Sequence, residues 1–378
     1  MKPGIYIHIP FCLKKCLYCD FYSVTDASLQ GPFAGALLKE IEAAESISDL
    51  PDSLYIGGGT PSILDPLVIT AILSAVKRRF RLPDDAEVTL EANPGTVTLE
   101  KLRAYRKAGV NRLNIGVQAF DDAALSFLGR CHDAREAREA VLWARMAGFD
   151  NIGLDLIHGL PGRSIRQWRE TLVEGLSFYP EHLSCYMLTY ETGTPLDRLR
   201  ETGSIDPVGE DIAAALFFET MDVLLSAGYE HYEISNFARS PGFRSRHNQK
   251  YWHHAPYLGF GPAAHSFSGK TRQWNIKDVA VYIRRMEEGL SPREDSETLT
   301  RRQLMIETVY LGFRTRDGID LKRFEEIFGT SFRDMFFPLL QSLTAEKLLE
   351  LTESNCTLTP RGLLFHDHVT GRFVDEME

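Results

Sequence analysis

Ile5-Tyr6-Ile7-His8-Ile9-Pro10-Phe11-Cys12-Leu13-Lys14-Lys15-Cys16-Leu17-Tyr18-Cys19-Asp20-Phe21 runs from a short β-rich segment directly into three cysteines spaced C-x3-C-x2-C. The chain has six cysteines in 378 residues, so only about 0.0015 such triplets are expected by chance. Three thiolates on one loop can hold three corners of an iron–sulfur cubane and leave the fourth iron open. The open iron of a [4Fe-4S] cluster on Cys12, Cys16 and Cys19 can chelate the amino and carboxylate groups of S-adenosylmethionine (SAM). An electron from the cluster then splits the sulfonium to give a 5'-deoxyadenosyl radical. Two plainer readings stay open on these residues alone: a zinc site completed by His8 or Asp20, and thiols that hold no metal.

Working outward from this loop, short β-rich runs alternate with amphipathic helical stretches over the first two thirds of the chain, the pattern of repeated βα units. Six strands are predicted, at Ile5–Ile9, Ser53–Ile56, Glu87–Glu91, Arg112–Val117, Ile152–Ile157 and His182–Thr189. Helices are predicted at Pro66–Arg79, Leu99–Lys107, Ala134–Met146 and Ile165–Phe178, with Gly109 and Gly148 as C-terminal stops. An eight-stranded barrel needs about 250 residues of such repetition, and here it fades near residue 230. The expected fold is therefore α/β, a partial (β/α)6 barrel over residues 1–230. Residues 231–299 are expected to form a connecting segment, and the stretch Tyr229–Trp274, which overlaps most of it, reads as loops packed over a site. From Thr300 the pattern is helical again and closes on a small hairpin around Glu353-Ser354-Asn355, so residues 300–378 read as a winged-helix-like domain.

A hydrophobic share of 44% with 25% charged residues places the chain among globular proteins. The formal charge of -10, with 42 Lys and Arg on a mixed surface, gives no field suited to a phosphate backbone, which excludes nucleic acid as a partner. No apolar run approaches the ~20 residues of a membrane span, and Met1-Lys2-Pro3-Gly4 opens no signal-type segment. The expected location is a reducing cytoplasm.

Polar residues interrupt otherwise apolar strands at their carboxyl ends. Gly57-Gly58-Gly59-Thr60-Pro61 follows the second strand, Glu91 ends the third, Gln118 ends the fourth and Asp155 lies in the fifth. Burying such a group unpaired costs ~1–3 kcal/mol, so each faces a ligand or a fixed internal partner. Together, at the end of the fold that carries the cysteine loop, they favour a ligand.

The chain resembles the HemN/HemW family of radical SAM proteins. The resemblance rests on Tyr6 to Cys12, Gly57 to Ser62, Glu91-Ala92-Asn93-Pro94-Gly95, Gly116-Val117-Gln118, Leu128 to His132, Asp155 to Gly162, and Tyr232 to Ala238. It implies SAM contacts from Tyr6, Tyr18, Gly58, Gly59, Thr60, Glu91, Gln118, Arg130 and Asp155, and a small appended C-terminal domain. Within the family, the anaerobic coproporphyrinogen III oxidase pattern has a further cysteine two positions after the third, where this chain has Phe21, and a longer arm before the cysteines. Both departures resemble the heme-chaperone branch. That branch has an H-N-x-x-Y-W motif implicated in heme binding, present here from His247 to Trp252. The implied cargo is heme, with His247 as its ligand and His253, His254 and His265 as neighbouring alternatives. The implied recipients are acceptor hemoproteins such as respiratory membrane enzymes, and a homodimer or peripheral membrane contact is compatible with transfer. A histidine among aromatics serves packing as readily as ligation. Cys131, Cys185 and Cys356 match no motif and read as structural. SAM cleavage stays open; oxidation of coproporphyrinogen III, or other radical chemistry on a tetrapyrrole, is the alternative function.

Overall fold

The computed structural model describes residues 1–45, 47 and 49–377. Six parallel strands, β1 (Gly4–Ile9), β2 (Ser53–Gly58), β3 (Glu87–Ala92), β4 (Arg112–Gln118), β5 (Ile152–His158) and β6 (His182–Met187), lie side by side in chain order. Helices α1 (Gln30–Ala43), α2 (Pro66–Phe80), α3 (Leu99–Ala108), α4 (Asp122–Leu128), α5 (Ala134–Met146) and α6 (Ile165–Ser177) connect them. The outer neighbours of β1 and β6 are later strands, so the sheet stays open, as the strand count anticipated.

Side chains alternate across each strand, and here the alternation separates apolar from polar. Ile5, Ile7, Ile9, Leu54, Ile56, Val88, Leu90, Leu113, Ile115, Ile152, Leu154 and Leu183 join the apolar core shared with the helices. The intervening positions, including Tyr6, His8, Ser53, Tyr55, Glu87, Thr89, Glu91, Arg112, Asn114, Asp155, His182 and Ser184, face the inside of the curved sheet. The barrel interior is therefore polar and can accept a polar ligand. Helix ends are set locally. Asp133 and Ser164 form capping boxes with Glu136 and Gln167, each cap stabilising by ~1 kcal/mol, and Gly109 and Gly148 take φ of 112° and 87° where α3 and α5 stop.

Two further helices, α7 (Pro195–Glu201) and α8 (Glu210–Ser226), complete the wrap. The loop expectation for Tyr229–Trp274 does not hold. That stretch contains β7 (Glu230–Glu233), β8 (Asn236–Ala238), α9 (Arg246–Trp252), β9 (Tyr257–Phe260), β10 (His265–Phe267) and β11 (Thr271–Asn275). After α10 (Val279–Glu287), β12 (Arg293–Thr298) follows, and the sheet runs β12-β11-β10-β9-β1-β2-β3-β4-β5-β6-β8-β7. Strands of three to five residues are too short for their alternation to show above the Gly and His content.

The C-terminal part comprises α11 (Arg301–Phe313), β13 (Ile319–Asp320), α12 (Leu321–Phe328), α13 (Phe332–Met335), α14 (Phe337–Ala345), β14 (Leu349–Leu351), β15 (Asn355–Leu358), α15 (Pro360–Leu364) and α16 (His366–Asp375). Its own core is built on Phe313, Phe324, Phe332, Phe336 and Phe373, and the expected hairpin gains β13 as a third strand. It is fastened to the barrel by Arg314, which donates to the fully buried carboxylate of Glu233 at 2.6 and 2.9 Å, and by Arg244, which pairs with Asp317 at 3.1 Å.

Candidate cofactor site at the carboxyl ends of the strands

The cysteine loop leaves β1 at Pro10 and is held by backbone bonds at both ends: Val24 N to Pro10 O at 2.7 Å and Cys12 N to Val24 O at 3.0 Å. The glycine turn after β2 braces it from beside, with Gly59 N donating to Ile9 O at 2.8 Å and Thr60 N to Phe11 O at 2.7 Å. This approach needs glycine. A Cβ on Gly59 would stand 2.6 Å from Phe11 O, and Gly58 holds φ of 109° with the His8 ring 2.6 Å from where its Cβ would be. Cys12, Cys16 and Cys19 are half-buried free thiols. Thr60 Oγ1 donates to Cys12 Sγ at 3.4 Å and Arg130 Nη1 to Cys16 Sγ at 3.4 Å. Hydrogen bonds of this kind to ligand sulfur tune an iron–sulfur cluster.

The interior polar residues gather beside this loop. Arg130 also donates to Tyr18 Oη at 3.4 Å and to Gly116 O at 2.7 Å. Glu91 accepts from Tyr55 Oη at 2.7 Å and from Gly58 N at 3.2 Å. Burial pushes its carboxyl up to about 7, against the lowering effect of the Tyr55 bond. Asp155 accepts from Asn114 at 2.7 Å; burial raises it to about 6, opposed by Ser184, Arg112 and Asn114. Gln118 takes φ of 65° where the β4–β5 register shifts, a left-handed conformation that costs a non-glycine residue ~1–2 kcal/mol. Such strain is typical of functional sites. Tyr6 lies one layer deeper, with its hydroxyl 3.0 Å from His8 Nδ1 and its ring stacked on Tyr55 at 6.3 Å.

Asp155 Oδ1 and Arg130 Nε are buried without a hydrogen-bond partner among the described residues. Three free thiols, a glycine cradle and unspent charged atoms fit the chemistry of a [4Fe-4S] cluster and of SAM: Cys12, Cys16 and Cys19 would hold the cluster, and Gly58, Gly59, Glu91, Arg130 and Asp155 would hold SAM.

Comparison with known proteins agrees with this chemistry. The Radical SAM superfamily model matches residues 6–174 and the HemN C-terminal domain model residues 299–365. Relatives named heme chaperone HemW are 35% identical in Bacillus subtilis, over 98% of this chain and 99% of that one, and 36% identical in Mycobacterium tuberculosis, over 97% and 93%. The chain belongs to the HemW family. The mouse relative, a mitochondrial radical S-adenosyl methionine domain-containing protein 1, is 35% identical over 86% of this chain and 76% of its own. Among solved structures, coproporphyrinogen III oxidase (HemN) from Escherichia coli superposes with a TM-score of 0.83 at 24% identity, over 98% of this chain and 90% of that one, which speaks to the fold. A HemW-family radical SAM fold implies SAM and a [4Fe-4S] cluster.

For this HemW-family chain the structure gathers eight of the nine positions expected to contact SAM around the cysteine loop and places Tyr6 beneath them. It does not bring His247 there. His247 sits on α9, which closes the opposite end of the barrel. Arg246 N and His247 N donate to the Glu87 carboxylate at 3.1 and 3.2 Å, and the buried Lys250 pairs with Asp52 at 2.6 Å. The His247 ring is 0% exposed, with Nδ1 3.2 Å from Ser53 Oγ and Nε2 2.9 Å from Tyr251 Oη, and it stacks on Tyr55 at 5.3 Å. Burial, and secondarily the charge of Lys250, lowers it to about 3. Ser53 begins β2 and Gly58 ends it, so ring and cysteine loop are separated by about 16 Å of strand. In this position both ring nitrogens are engaged and no edge of the ring is exposed.

Sequence reading missed Tyr55, Asn114, Arg112 and Ser184, which hold Glu91 and Asp155, and Asn93, whose Oδ1 lies 3.1 Å from His132 Nδ1. Their strict alternation with apolar residues was the available signal. Cys185 and Cys356 are buried; Cys131 is half-buried beside Arg130, with Sγ 3.6 Å from Asn93 Oδ1.

Proposed function

We propose that this protein is a heme chaperone that binds heme and passes it to acceptor hemoproteins, respiratory membrane enzymes among them, while carrying a SAM-binding [4Fe-4S] cluster. The observation that carries the reading is full-length similarity to relatives named heme chaperone HemW. Phe21 adds support. It occupies the position of the oxidase pattern's extra cysteine and is 70% exposed, offering no sulfur chemistry there. When bound, SAM and cluster together supply one-electron reductive chemistry. The chain's own part is to hold the cluster on three thiols, donate to two of the sulfurs from Thr60 and Arg130, and present Glu91, Asp155 and Arg130 to the polar parts of SAM. A cytoplasmic site of action, with peripheral membrane contact during transfer, suits a fold in which no described helix is long and apolar enough to cross a membrane.

Anaerobic reconstitution of the full-length protein, followed by parallel assays of hemin binding and coproporphyrinogen III oxidation, tests the proposal. Saturable hemin binding without repeated formation of protoporphyrinogen is expected. No saturable binding, or sustained porphyrinogen turnover, would overturn it.

A further inference from the structure

The three thiols of the cysteine loop have donors of different kinds. Thr60 Oγ1 donates to Cys12 and Arg130 Nη1 to Cys16, both from outside the loop, whereas Cys19 has the backbone amide of Phe21. The aim of that amide depends on what fixes the loop's exit. The Phe21 side chain does not, since it is 70% exposed.

Tyr22, the next residue, is held on three sides. Its carbonyl lies 3.0 Å from His8 Nε2. A carbonyl only accepts and burial keeps His8 neutral, lowered to about 4, so the ring donates from Nε2 and accepts at Nδ1 from Tyr6 Oη at 3.0 Å. The same ring packs on Gly58 and faces the Tyr22 ring at 6.4 Å. Lys277 Nζ stands 5.7 Å from the centre of the Tyr22 ring. The Tyr22 hydroxyl accepts from Val279 N at 3.0 Å, across 257 positions of chain. Val279 opens α10, and the leading N–H groups of a helix have no partner within it. Asp278 accepts from Val281 N at 2.9 Å, and Tyr22 serves Val279. α10 is a firm anchor. Val279, Tyr282, Ile283 and Met286 lie in the barrel core. The buried Glu40 of α1 accepts from Tyr282 Oη at 2.6 Å, from Gly261 N at 2.8 Å and from Asn275 Nδ2 at 2.6 Å, which ties α10, the β9–β10 turn and β11 to the barrel.

We propose that Tyr22 is a positioning residue for the cluster: its hydroxyl bond to Val279 clasps the exit of the cysteine loop to α10 and so holds the Phe21 amide on Cys19 Sγ. Retention of the cluster therefore depends on a helix that supplies none of its ligands. The inference rests on the cluster reading of Cys12, Cys16 and Cys19 and is independent of the heme reading.

The test breaks the clasp from each side in the full-length protein. Tyr22→Phe removes the acceptor. Val279→Pro removes the donor at a position where proline suits a helix, and Asp278 before it already has the extended ψ of 119° that a following proline requires. After anaerobic reconstitution, cluster loss to an iron chelator is followed by visible absorbance, and the cluster potential by redox-poised electron paramagnetic resonance. Each single variant is expected to lose cluster about fivefold faster than wild type, the worth of one hydrogen bond, and to shift the potential to more negative values as the Phe21 amide drifts from sulfur. The double variant should lose cluster no faster than either single one, because both substitutions remove the same bond. Wild-type loss and potential in either single variant, or multiplied effects in the double variant, would overturn the clasp. So would a fall in Tm of the cluster-free variants large enough to account for the loss. If wild type takes up no iron and sulfide, the cluster reading itself fails.

Discussion

Replacing His247 by alanine separates a plugging histidine from a ligating one. The ring is fully excluded from solvent, and its loss would strand Ser53 Oγ and Tyr251 Oη, now 3.2 and 2.9 Å from its nitrogens. An unpaired buried polar group costs ~1–3 kcal/mol, and the emptied ring space adds a cavity of the kind that costs ~2 kcal/mol or more. A total near ~3–5 kcal/mol follows, which at ~2–4 °C per kcal/mol for a barrel-sized unit is a fall in Tm of about 6–20 °C. The loss should depend on pH. The native ring is lowered to about 3 from an ordinary 6.5, so below 6.5 the unfolded chain binds the proton that the native state refuses. His247 thus contributes stability at neutral pH that is lost as pH falls through that window, and the gap between wild type and variant should narrow on acidification. Differential scanning fluorimetry from pH 8 to pH 5 measures both effects. An unchanged Tm in a variant that had lost hemin binding would refute the plug and restore His247 as the ligand.

Three other outcomes can be checked alongside. Thr60→Val removes the donor to Cys12 Sγ at 3.4 Å and should shift the cluster potential to more negative values with the fold retained, as read by redox-poised electron paramagnetic resonance. Gly58→Ala puts a Cβ at φ 109° against the His8 ring; iron and sulfide analysis after reconstitution should show reduced cluster loading, and full loading would argue against the cradle. Glu91 titrates near 7 in the native state against an ordinary 4.5, so its contribution to stability declines as pH rises through that window. Relative to wild type, Glu91→Gln should gain stability from pH 5 to pH 8 in urea titrations.

The parts of the fold and site that can be read from sequence are those whose cause is local. Cys12, Cys16 and Cys19 declare themselves by spacing, β1 to β5 by their composition, and α5 by its apolar spacing and terminal Gly148. The sixth strand reads as continuing through Thr189, but its ladder with β5 ends at Met187. Beyond it Leu188 and Thr189 are still β-like in composition, yet only one backbone bond follows, Leu188 N to His158 O at 2.9 Å. The role of His247 was not legible because its partners, Ser53 and Glu87, lie far away in the chain and meet it only when α9 closes the barrel. His-Asn-Gln-Lys-Tyr-Trp has the same composition whether it plugs or ligates. Glu91 and Asp155 stood out as polar interruptions, whereas Tyr55 and Asn114, which position them, could be found only by reading the alternation of β2 and β4 as a two-faced surface.

The order of strands also bears on when the cysteine loop can be loaded. β1 has β2 on one side, made within the first 58 residues, but its other neighbour is β9, whose pairing runs to Phe260. At ribosomal rates of ~5–20 residues per second, the roughly 200 residues between them take about 10–40 s to emerge. Throughout that interval the strand that leads into Cys12 has one bare edge, and the helix that will close the floor beneath it is completed only near its end, at Trp252. Synthesis therefore holds a window in which iron and sulfide delivered to the nascent chain meet an unfinished, accessible loop.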